Sequence, residues 1–111
     1  TDDMFAAEDF TAGETAAGVP VGEINRKETW LLPDNGGKTQ DGKQWFILTP
    51  FGQNWLSPGL AYDAATWGAY LKEIKTLGGS VALECNINTS TGIITDEVIT
   101  AFKAVRDIVN G

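Results

Sequence analysis

From Gln44 onward the apolar residues alternate between strand and helix period over four segments, and that alternation restricts the chain to a small set of folds. Gln44-Trp45-Phe46-Ile47-Leu48-Thr49 is an unbroken β-rich run closed by Pro50, the pattern of a strand buried on both faces. A loop containing Gly52, Pro58 and Gly59 follows. Asp63 then stands as N-cap before Trp67, Tyr70, Leu71, Ile74 and Leu77, whose spacing marks one face of a helix. Lys72 and Lys75 lie late in that helix, where cations suit its dipole, and Gly78-Gly79 supplies a stop. Residues 81–87 form a second strand and residues 88–92 a turn. Thr95 is placed as N-cap of a last helix that begins Asp96-Glu97 and buries Val98, Ile99, Phe102, Val105 and Val109.

Strand, helix, strand, helix with short helix-to-strand connections predicts a βαβ crossover with parallel strands, followed by a packing helix. Parallel sheets need both faces covered and their edges paired. Two or three strands alone would leave Trp45, Ile47, Leu83 or their neighbours wet. The expectation is therefore an α/β chain that is the closing βαβα section of a (β/α)8 barrel (a TIM barrel) or of an open α/β sheet. One segment, 1–111, divides into a loop-rich part at 1–43 and the βαβα part at 44–111. Within the first part, turns at 18–20, 32–37 and 41–42 interrupt every apolar stretch, and residues 28–32 are a short strand candidate.

Composition removes several chemistries. The 111 residues include no histidine, which excludes a Ser-His-Asp or Cys-His arrangement and imidazole metal ligands within this chain. A single cysteine excludes an intrachain disulfide, and Cys85 in its apolar run reads as a small buried hydrophobe. A net charge of −7 is the wrong sign for a nucleic-acid partner. No apolar run approaches the roughly 18 residues of a membrane span, so no membrane partner is expected. No carboxylate spacing matches a calcium loop, and Asn35-Gly36-Gly37-Lys38-Thr39 lacks the spacing of a phosphate loop. Neither metal nor cofactor is expected. Asn88-Thr89-Ser90 fits the N-glycosylation pattern, which matters only in a secreted eukaryotic protein.

Carboxylates, amides and aromatic surfaces remain. Functional groups in parallel α/β folds gather just beyond the C-terminal ends of the strands. That rule selects Gln53 and Trp55 after the first strand and Asn86 after the second, with Glu84 inside it. A glutamate among Val81, Leu83, Cys85 and Ile87 must be paired, neutral or turned to a polar cavity. It is either a site carboxylate or a structural one, held by a loop cation or lining a lumen. Trp55 is either a stacking platform for a sugar or a lid on the core. Trp67 belongs to the helix stripe and hence to the core, and Trp30 and Trp45 read as packing residues.

Three blocks together resemble the C-terminal part of α-L-fucosidase-like glycoside hydrolases. They are Ala7-Glu8-Asp9-Phe10-Thr11-Ala12-Gly13-Glu14; Asp41-Gly42-Lys43-Gln44-Trp45-Phe46-Ile47-Leu48 with Phe51-Gly52 and Trp55; and Gly78-Gly79-Ser80-Val81-Ala82-Leu83-Glu84 with Gly92-Ile93-Ile94. The resemblance implies that residues 44–49 and 81–87 are the seventh and eighth barrel strands of a secreted enzyme. It implies a carbohydrate substrate and the rest of the barrel, in the same or another chain, as partner. Glu14 and Glu84 are then the catalytic candidates, and Asp9, Gln53, Trp55 and Asn86 the substrate contacts. Glu14 has a structural alternative, a carboxylate that orders its loop through backbone amides. Two departures stand out: Phe46 where such relatives often have histidine, and Glu84-Cys85-Asn86 where they tend to have aspartate, a small residue and proline. The family's nucleophile belongs to an earlier strand. A non-catalytic carbohydrate-binding or barrel-completing subunit is the alternative.

Overall fold

The structure, a computed structural model, describes residues 13–21, 39–40, 43–44, 46–88 and 90–111. Asp9, Trp30, Trp45 and the expected strand at 28–32 lie outside the described residues. Among the described residues nine elements occur in order: β1 (Gly13–Glu14), β2 (Thr39–Gln40), β3 (Lys43–Gln44), β4 (Phe46–Pro50), α1 (Ala64–Thr76), β5 (Ser80–Glu84), β6 (Ile87–Asn88), β7 (Ile93–Ile94) and α2 (Asp96–Asn110). The expected βαβα order is present as β4, α1, β5 and α2, and the fold is mixed α/β.

The apolar run after Trp45 forms the centre of a parallel sheet of order β1-β4-β5. Ile47 pairs with Gly13 on one side and Val81 on the other; Leu48 pairs with Glu14 and Ala82, and Pro50 with Glu84. Glu14 is thus within a strand, one step earlier than the loop position expected for it. The second strand is shorter than the expected 81–87. Phe51 N donates to Glu84 O at 2.9 Å, and beyond that bond Ile87 leaves the sheet to pair antiparallel with Ile94. The expected turn is therefore the tip of a small hairpin. A second small ladder joins β2 to β3.

Each end of α1 is made by its own residues. Asp63 accepts a bond from Thr66 N at 2.8 Å, and that bond holds the Asp63 carboxyl below its ordinary range. At the other end, Gly79 N donates to Ile74 O and Gly78 N to Lys75 O, with Gly78 at φ +84. Those two bonds form a Schellman motif, which needs a residue of left-handed backbone at Gly78. For α2 the cap is different: Thr95 holds the N-cap position without a side-chain bond, and Asp96 and Glu97 supply the charge of the first turn. The two lysines late in α1 serve α2 rather than α1 alone. Lys72 Nζ donates to Gly111 O at 3.0 Å and Lys75 Nζ to Asn110 Oδ1 at 3.4 Å, at a helix end with no basic residue of its own.

Side chains alternate across a strand, so Ile47, Thr49, Val81 and Leu83 share one face. Both helices pack there. One cluster joins Ile47, Val21 and Ile74; the other joins Phe51, Trp67, Val98, Ala101 and Val105, with Leu83 and Phe102 against it. Ile47 and Trp67 are fully buried, so the expectation that Ile47 would be wet is corrected. The helices of this chain alone suffice to cover that face. Burying each such side chain contributes roughly 1.5–3 kcal/mol. Close approach of the helices needs Gly68, where an added Cβ would stand 2.6 Å from Ile108 Cγ2. On the opposite face lie Glu14, Leu48, Pro50, Ala82 and Glu84, of which Pro50 is fully buried. Leu48 and Ala82 are half-buried and belong to neither cluster.

Candidate functional site

The C-terminal end of the sheet is where this chain concentrates unusual backbone and polar side chains. The loop after β4 is anchored from within. Phe51, fully buried, stacks on Trp67 at 5.2 Å and on Phe102 at 4.7 Å between centroids. Ala61 N donates to Phe51 O at 2.9 Å, so both ends of the loop are fixed to the core. Gly52 is buried and lies so close to Ser57 O that an added Cβ would approach to 2.7 Å.

At the tip, Ser57 N donates to Asn54 O at 3.2 Å, closing a four-residue turn. Its third residue, Leu56, has φ +61 and is the one non-glycine residue of positive φ among those described. Turns of this kind ordinarily place glycine or asparagine there, and leucine in that conformation costs about 1–2 kcal/mol. Leu56 N is held by Glu84, whose two carboxylate oxygens share it at 3.3 Å each. The bond is bifurcated and long, so its contribution is geometric as much as energetic.

The sequence-selected residues fall as follows. Glu84 and the turn carrying Trp55 are brought together through Leu56, and Trp55 is 41% exposed. Gln53 is exposed in the same loop, and Asn86 is half-buried two residues beyond Glu84. Glu14, exposed, closes β1 on the same sheet face as Glu84. By strand spacing their Cα atoms lie two strands and two residues apart, roughly 12 Å. Among the described residues the partner of the Glu84 carboxylate is the Leu56 amide, and the one ion pair is exposed Arg106–Asp107 at 2.9 Å.

Sequence reasoning did not select Leu56 or Tyr62. Nothing in the sequence marks a leucine for left-handed backbone. Tyr62 is 41% exposed, donates its hydroxyl to Ala17 O at 3.3 Å, and packs edge-on to Trp67. Its neighbour in space, Gly18, is 44 residues away in sequence and leaves no room for a Cβ against the ring.

Two other groups are inert by their surroundings. Burial, with the charge of Glu84 second, pushes the Cys85 thiol up, away from the thiolate a nucleophile needs. Burial, with Glu73 and Tyr62 behind it, pushes the Tyr70 phenol up to about 12. A pocket of about 200 Å³ lies at the other end of β5, lined by Leu71, Ile74, Lys75, Gly79, Val81 and Val109, away from these groups. Among the described residues no three His, Cys, Asp or Glu side chains are grouped to hold a metal ion. No helix among them is long and apolar enough to cross a membrane.

Comparison of the chain with family models, with curated proteins and with solved structures gives no match.

Proposed function

We propose that this chain is the C-terminal section of a secreted glycoside hydrolase-like (β/α)8 barrel, and that its sheet end carrying Glu14, Glu84 and the Trp55 loop faces a glycan. The observation that carries the reading is the division of the sheet. Three parallel strands neighbour one another in chain order, both helices cover one face, and the other ends in two glutamates that close the outer strands, with the buried Pro50 closing the central one. In a (β/α)8 barrel the face away from the helices is the lumen, and ligands meet residues at the C-terminal ends of the strands.

Glycosidases flank the scissile bond with two carboxylates, about 5–5.5 Å apart for retention and 6.5–9.5 Å for inversion. Glu14 is the candidate general acid or substrate contact, exposed on the open face. Its partner carboxylate would come from another strand of the barrel, with Asp9 a further candidate. Gln53 and Asn86 offer amides that both donate to and accept from sugar hydroxyls, and Trp55 offers a ring face for stacking. The substrate class is a glycan, with a fucoside as the first compound to try.

Calorimetric titration of the 111-residue chain with methyl α-L-fucoside tests this. Trp55→Ala raises Kd roughly 3–10-fold, the worth of one aromatic contact. In the complete barrel, Glu14→Gln lowers kcat on an activated fucoside; an unchanged kcat removes Glu14 from the chemistry. A non-catalytic binding subunit is the second reading, favoured because Glu84, one of the two candidate carboxylates, is already engaged by Leu56. Binding without turnover in the complete assembly selects it.

A further inference from the structure

We infer that Glu84 is a positioning residue, whose carboxylate holds Leu56 in left-handed backbone and thereby presents Trp55 to the ligand. The inference rests on the glycan reading for the identity of that ligand, and on the geometry alone for the anchoring.

Three observations converge on it. Leu56 adopts φ +61, a conformation its side chain disfavours, while being 76% exposed, so no side-chain packing compensates the strain. Both oxygens of Glu84 take the Leu56 amide, across 28 residues of sequence. Glu84 also fixes the start of the same loop through its backbone, since its carbonyl accepts from Phe51 N at 2.9 Å. One residue of β5 therefore holds the loop of β4 at two points: Phe51 by main chain, Leu56 by side chain. Between them lie Gln53, Asn54 and Trp55, all exposed. With both oxygens turned to an amide of its own chain, Glu84 acts through the loop rather than on a glycosidic bond.

The test uses the 111-residue chain and three variants: Glu84→Ala, Glu84→Gln, and Glu84→Ala combined with Leu56→Gly. Amide exchange at Leu56 and the fluorine resonance of 5-fluorotryptophan at position 55, assigned with Trp55→Phe, report the turn. Titration with methyl α-L-fucoside reports binding. Glu84→Ala speeds Leu56 exchange about tenfold or more, the worth of a hydrogen bond to a charged group, and moves the Trp55 resonance. Glu84→Gln, which keeps one acceptor oxygen, gives a smaller change. Leu56→Gly, which takes positive φ without strain, returns the Trp55 resonance towards that of the parent chain. The amide of Ala61, bonded to Phe51 O, exchanges as before in each variant and shows that the core is intact. Kd for the fucoside follows the Trp55 resonance through the series. Unchanged Leu56 exchange and an unchanged Trp55 resonance in Glu84→Ala overturn the anchor. If the anchor behaves as stated while the parent chain binds no fucoside, the anchor stands and the fucoside reading falls.

Discussion

The two faces of the parallel sheet differ in both residues and burial: the β-branched side chains Ile47, Thr49 and Val81 share one face, and Glu14 and Glu84 share the other. On one, Ile47 and Thr49 are fully buried beneath two helices, and Thr49 donates its hydroxyl to Ala16 O at 3.1 Å. On the other, Leu48 and Ala82 are half-buried beside Glu14 and Glu84. The continuous apolar run at 46–48 treats both faces as interior; the glutamates do not. A face that is apolar in its middle and acidic at its C-terminal edge is suited to meet something polar there while being covered below.

The comparison breaks or sharpens under substitution. The largest effect is expected from Ile47→Ala, about 2–5 kcal/mol by denaturant unfolding, because transfer and cavity terms add at a fully buried site. Leu48→Ala, its immediate neighbour on the open face, costs less than half as much. Equal losses would mean that the second face is as well packed as the first, and the lumen reading would lose its support. Next comes the helix layer itself. Gly68→Ala gains about 1 kcal/mol of helix propensity but forces a methyl into Ile108, and overpacking of this kind costs about 1–3 kcal/mol. A lowered Tm with Gly68→Ala, recovered in part when Ile108 is shortened to Ala, which removes the Cγ2 and Cδ1 atoms nearest the new methyl, identifies that contact as the seam between the helices.

The smallest effect is confined to high pH. Folding raises the Tyr70 phenol from 10.0 to about 12, burial first and the charge of Glu73 second. The folded state therefore holds that proton more tightly than the unfolded one. Its contribution to stability is full below pH 10 and is lost as pH rises through about 12. Tyrosine absorbance then shows the Tyr70 phenol ionising late, and Tyr70→Phe flattens the loss of stability in that window. A Tyr70 phenol that titrates near pH 10 in the parent chain would show that the helix side is wetter than described.

Much of α1 was legible because its signals are local: a cap at Asp63, a stripe from Trp67 to Leu77, and a glycine pair. β4 was legible for the same reason, its apolar run being stopped by Pro50. The C-terminal end of β5 was not. Ile87 continues the apolar alternation of the strand, and only its pairing with Ile94 takes it out of the sheet. The partners of Glu84, Lys72 and Lys75 lie 28, 39 and 35 residues away, respectively. No spacing rule reaches such distances. Leu56 was illegible for a further reason, since its conformation runs against its own preference and is imposed from β5. The predicted site residues fared accordingly: Trp55, Gln53 and Glu84 converge because they belong to one loop and its neighbour strand, whereas Asp9 lies outside the described residues.

The bonds at Phe51 and Ala61 have a dynamic consequence. With its two ends tied to each other and Phe51 locked in an aromatic stack, the segment between them is a small Ω-loop whose closure entropy is already spent in folding. It cannot swing as a lid, because a swing would have to pull Phe51 from between Trp67 and Phe102. Its freedom is limited to the tip around Leu56. Motion there is a local flicker of one turn against one carboxylate, on the time scale of loops rather than of domains, so whatever adjustment Trp55 makes is that of a single turn and not of the loop that carries it.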